Sequence, residues 1–91
     1  MSAPSDNNRE HPRQAAMRRG VVVQQPSGDA FVCVIIDVSL GGARLQLIGA
    51  DIPDEGLTLI DAQMGASHAL RVVWRKDPFV GVAFTESEIL P

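Results

Sequence analysis

Six short apolar or alternating runs follow one another at near-regular spacing, each closed by turn residues, and nowhere does a helical period persist. The runs cover residues 21–23, 31–37, 43–47, 57–61, 69–75 and 79–84. Between them lie Pro26-Ser27-Gly28-Asp29, the pair Gly41-Gly42, a 49–56 loop holding Pro53, Met64-Gly65-Ala66-Ser67 and Lys76-Asp77-Pro78. Strands this short, joined by turns this tight, pair antiparallel, the first two as a hairpin. An open sheet of this size would leave two long edges exposed, and closure removes them. The expected fold is therefore all-β, a small six-stranded antiparallel, split β-barrel. Alternation assigns the faces. Ala43, Leu45 and Leu47 point inward against Arg44 and Gln46. Leu70, Val72 and Trp74 share a second inward face, which makes Trp74 a core residue, and Val80, Val82 and Phe84 a third.

A chain of 91 residues is one domain and must commit most of its apolar side chains to one core. Cys33 is the only cysteine and sits inside an apolar run, so it reads as an inert buried thiol, with no disulfide framework or cysteine zinc site. No run is long enough to span a bilayer, and the polar N-terminus has no signal-peptide core; a cytoplasmic protein is expected. The net charge of −3 argues against a general nucleic-acid binder, but the charge is unevenly placed. Arg9, Arg13, Arg18 and Arg19 fall within eleven residues that contain one acid, Glu10. This asymmetry favours a small anionic partner or an acidic protein surface. Residues 1–8 are polar and expected to be disordered. Residues 9–20 form an arginine-rich arm in which Pro12 blocks a long helix and permits a single helical turn over 14–18. The barrel follows over 21–85, and 86–91 are a tail.

The polar chemistry concentrates where the second run ends. Asp37 and Ser39 are two apart and, on an extended backbone, leave the same face. Gly41 and Gly42 allow a positive φ or a close approach of ligand to backbone. A carboxylate, a hydroxyl and a bare backbone suit a planar ligand with hydrogen-bonding edges, although Asp, Ser and Gly are also what an ordinary turn requires. No serine, histidine and acid combination forms a catalytic set, Asp37 and Ser39 have no evident base, and His11 and His68 are too few for a metal site. A non-enzymatic binding protein without cofactor or metal is expected.

Arg9-x-x-x-Arg13 followed by Asp37-x-Ser39-x-x-Gly42, on a small β domain, resembles the PilZ family of bacterial cyclic di-GMP receptors. Ile52-Pro53-Asp54-Glu55, the 71–76 segment Arg-Val-Val-Trp-Arg-Lys and Gly81-Val82-Ala83-Phe84 resemble its stand-alone, single-domain members. The resemblance implies that the arm with Arg9 and Arg13 folds onto the barrel and grips guanine edges and phosphates, while Asp37, Ser39 and Gly42 form the pocket floor. Guanine O6 and N7 match a guanidinium fork, and its N1 and N2 donors suit a carboxylate such as Asp37. Gly41, Arg44 and Arg18 are further candidates, although Arg18, placed before the first strand, reads as solvated. Two departures from the family pattern stand out: Asn8 replaces an arginine, and residues 86–91 cannot supply the C-terminal helix of many members. The implied role is a second-messenger receptor whose arm orders on ligand binding and alters a surface for a protein effector. Two rivals remain. One is a PilZ-like adaptor that binds no nucleotide, against which the intact motifs argue. The other is a small barrel for single-stranded nucleic acid, disfavoured by 4% aromatic content and an acidic body.

Overall fold

A computed structural model describes residues 14–54 and 56–89, and it is all strand. The six strands are β1 (Gln14–Gln24), β2 (Ala30–Val38), β3 (Gly42–Leu47), β4 (Leu57–Asp61), β5 (Ala66–Lys76) and β6 (Phe79–Ile89). They close into an antiparallel barrel in the order β1-β2-β3-β6-β5-β4, with β4 returning to β1. Two meanders, β1-β2-β3 and β4-β5-β6, are thus joined by one long connection, residues 48–56. All six expected strands form, and the expected barrel with them.

The core holds Val22, Cys33, Ile35, Ala43, Leu45, Leu59 and Val80, each at most 2% exposed. These are the inward positions of the alternating strands, as the period of two requires. Burial pushes the Cys33 thiol up to about 11, so it stays protonated and inert near neutral pH.

An arginine–aspartate contact caps each end of the barrel. At one end Arg18 donates from Nε and Nη2 to the two carboxylate oxygens of Asp61, at 2.9 and 2.6 Å. At the other, Arg75 reaches Asp51 and Asp54 at 2.7 Å each and also donates to the Ile52 carbonyl. That clamp fixes the 48–56 connection so that Ile52, 3% exposed, plugs the lower mouth.

Several expectations are corrected. Residues 14–20, assigned to the arm and in part to a helical turn, are the first half of β1, because pairing with β2 outweighs their local helix preference. A bulge between Ala15 and Arg18, with Met17 at φ 46°, interrupts that pairing. Arg18 is consequently neither before the strand nor solvated; it points into the barrel. Residues 86–89, assigned to a tail, extend β6 against β5. His68 joins this extension, stacked on Phe84 with ring centroids 4.1 Å apart and 2.7 Å from the Ser87 hydroxyl; its burial lowers its pKa. Residues 1–8, Arg9 and Arg13 lie outside the described residues.

Candidate functional site

A bulge in β2 positions the site. Cys33, Val34 and Ile35 oppose Leu47, Gln46 and Leu45, but past Ile35 the register slips by one, so that Asp37 opposes Arg44 and Val38 opposes Ala43. Cys33 and Ile35 point inward, and unbroken alternation would carry Asp37 into the core with them. The extra residue hands the inward position to Val38 and turns Asp37 to the outer face, a known use of bulges beside binding sites. There an Arg44 guanidinium nitrogen sits 2.8 Å from an Asp37 carboxylate oxygen. Asp37 is nonetheless only 9% exposed, while the Arg44 side chain is half-exposed.

The turn after Asp37 is held by its own backbone. Ser39 N donates to the Gly42 carbonyl at 2.8 Å, and the Ser39 hydroxyl lies 3.4 Å from the same oxygen. The Gly41 carbonyl accepts from Phe84 N at 2.9 Å, tying the turn to β6. Gly42 has a definite steric reason. A Cβ there would land on the Val82 carbonyl oxygen and lie 3.3 Å from the Ala83 Cα, so the close approach that requires glycine is made by β6.

A second bulge extends the site sideways. The β5–β6 register shifts between Val72 and Trp74, so that Val72 opposes Val82 on the inside and Trp74 opposes Gly81 on the outside. Trp74, expected in the core, is 42% exposed, with its indole lying over the Gly81 backbone. Because Gly81 also opposes Arg44, the positions Asp37, Arg44, Gly81 and Trp74 form one row across β2, β3, β6 and β5. Three interstrand steps make this row roughly 14 Å long. Beside it, a cavity of about 350 Å³ is bordered by Asp54, Arg71 and Trp74.

The structure therefore brings Asp37, Ser39, Gly41, Gly42 and Arg44 together at one corner of the barrel. Arg18 is engaged elsewhere, on Asp61, and that hydrogen-bonded pairing holds the Asp61 carboxyl below its ordinary value. Sequence reasoning preferred a core position to a stacking role for Trp74, and it placed Arg71 on the outer face without connecting it to the site. The one available signal was glycine at position 81, which leaves room for a large ring on the neighbouring strand.

No curated protein matches the sequence. The PilZ domain family matches over residues 7–89, nearly the whole chain and all six strands. With the closed six-stranded barrel and the Asp37-to-Gly42 turn in place, the chain belongs to the PilZ domain family.

Proposed function

We propose that this PilZ domain is a cyclic di-GMP receptor. The observation that carries the reading is the β2 bulge, which takes the Asp37 carboxylate out of the core and sets it beside the Ser39–Gly42 turn on the row that ends at Trp74. Asp37 accepts from guanine N1 and N2, and Arg9 and Arg13 supply the cationic forks for O6, N7 and phosphate. Arg44 is pre-positioned at 2.8 Å from Asp37. With half its side chain exposed, that ion pair is worth at most about 1 kcal/mol, so ligand can rearrange it at little cost. Trp74 offers the only indole in the chain as a base-stacking surface.

The output is a protein contact made at the same end of the barrel. Met17, Leu40 and Met64 are 68%, 83% and 62% exposed, and they sit on β1, the β2–β3 turn and the β4–β5 turn, which all open at that end. An arm that leads into the start of β1 and orders on ligand changes this apolar rim, and the effector reads the change. No helix among the described residues is long and apolar enough to cross a membrane.

Isothermal titration with cyclic di-GMP, with GTP as control, tests the reading. Saturable binding of cyclic di-GMP alone is expected. Arg13→Ala is expected to weaken it at least about tenfold, because each charge-assisted hydrogen bond contributes about 1.5–3 kcal/mol. The absence of heat and of any melting shift at high ligand concentration would refute the receptor reading and favour an adaptor that binds no nucleotide.

Trp74 supplies an independent readout. Its fluorescence is expected to change saturably with cyclic di-GMP, and Trp74→Ala to weaken binding about tenfold, in line with about 1–3 kcal/mol for a stacked base. A Trp74→Ala protein with wild-type affinity would remove the indole from the site.

A further inference from the structure

Arg71 and Trp74 are three residues apart on β5, and a strand of strict period two places such positions on opposite faces. The extra residue, Val73, cancels the difference. Arg71 opposes Ala83, Trp74 opposes Gly81, and both side chains leave the outer face of the barrel. A bulge that re-aims a side chain in this way is a device found beside binding sites. The surface next to the pair is made of small residues, because Ala83 opposes Gly42 on the next strand and Gly81 lies under the indole. Both side chains border the same cavity of about 350 Å³. Arg71 is exposed and makes no ion pair among the described residues. The carboxylate that borders this cavity, Asp54, is held instead by Arg75 at 2.7 Å. A guanidinium thus stands beside an exposed indole with its fork unoccupied.

What that fork meets follows from the ligand proposed above, on which this inference rests. Cyclic di-GMP carries two guanines on opposite sides of a ring that holds its phosphates. In the receptor reading one guanine lies at Asp37 with Arg9 and Arg13, and the other stacks on Trp74 at the far end of the row. Arg44 comes between them in that row, where the phosphates pass. The stacked guanine still has its O6 and N7 acceptors to satisfy, and a planar guanidinium beside the stacking ring matches both at once. We infer that Arg71 reads the O6 and N7 edge of the guanine stacked on Trp74 and so selects guanine over adenine at the second base position. Adenine presents an amine donor where guanine presents O6, so the donor-only fork that holds one base repels the other. Lysine offers a single ammonium in place of the fork and does not replace it.

Titration of wild type, Arg71→Ala and Arg71→Lys with cyclic di-GMP and with the hybrid cyclic GMP-AMP tests the inference. The hybrid keeps a guanine for Asp37 and brings adenine to Trp74. Wild type is expected to prefer cyclic di-GMP by about tenfold or more. Arg71→Ala is expected to bind cyclic di-GMP about tenfold more weakly and the hybrid within about threefold of wild type, so that the preference collapses. Arg71→Lys is expected to behave like Arg71→Ala. The saturating change in Trp74 fluorescence is expected to survive in both variants, since the base still stacks. Arg71 is exposed, and melting temperatures like that of wild type are expected to show that neither variant disturbs the fold. Wild type that binds cyclic di-GMP while Arg71→Ala binds it equally well overturns the inference and leaves the receptor reading intact. An equal loss of both ligands also overturns it, because it assigns Arg71 to a phosphate. Wild type that binds neither ligand refutes the receptor reading itself, and the inference falls with it.

Discussion

Arg18→Ala is expected to destabilise the barrel by about 3–5 kcal/mol, a large share of what a domain of this size possesses. The cause is the group left behind. Asp61 is 2% exposed, and without the guanidinium the one hydrogen bond left to its carboxylate among the described residues is a 3.4 Å contact from the Met64 amide. Removing both charges together is expected to be far milder. Arg18→Met with Asp61→Leu replaces a desolvated pair by apolar volume, and such exchanges are often neutral. Denaturant unfolding of the two single variants and the double variant measures the coupling directly; equal losses in single and double variants would contradict it. Acid titration gives a second check. Arg18 lowers the Asp61 pKa in the folded state, so the pair's contribution is complete above the ordinary carboxylate value of 3.8 and is lost as pH falls below it. The double variant is expected to lose that part of the acid sensitivity. It is also expected to keep cyclic di-GMP affinity, because Arg18 is spent on Asp61; a stable double variant that no longer binds would put Arg18 back among the ligand contacts.

The register defects explain why the architecture is legible in the sequence while the site is only half so. Strand positions follow from period-two patterning and turn residues, and β2 to β4 lie within one residue of their expected bounds. Alternation also predicts the inward Ala43, Leu45, Leu70, Val72, Val80 and Val82. It fails at bulges, which arise from pairing with a distant strand and leave no local mark. Trp74 falls on the face of Leu70 and Val72 by simple counting, and one extra residue in β5 reverses it. Asp37 falls on the face of Cys33 and Ile35, and there its charge was the useful warning: a carboxylate in an apolar phase requires a register change or a buried partner. Asp61 is the contrasting case, a carboxylate that does stay in phase and finds Arg18, 43 residues away. Residues 14–18 show the third kind of failure. Gln, Ala, Ala, Met and Arg favour helix locally by a few tenths of a kcal/mol each, and the edge of β2 decides otherwise.

Gly42→Ala is expected to lower stability by about 3 kcal/mol and the melting temperature by about 10 °C or more. The added methyl meets the Val82 carbonyl oxygen, with the Val82 carbon 3.2 Å and the Ala83 Cα 3.3 Å away. All three are backbone atoms, so no side chain can swing aside. Relief requires β3 and β6 to part where Gly42 opposes Ala83, next to the bond from Phe84 N to the Gly41 carbonyl. The turn bearing Ser39 hangs from the same two strands, and its hydrogen bonds to the Gly42 carbonyl shift with them. Cyclic di-GMP affinity is therefore expected to fall together with stability. Thermal melts and titrations of the same preparation separate the two roles a glycine can have in this motif. Joint loss fits a glycine required by β6, whose effect on ligand passes through the shape of the turn. A Gly42→Ala protein that melts within a degree or two of wild type yet fails to bind would show that the methyl meets ligand instead, and that β3 and β6 are free to yield.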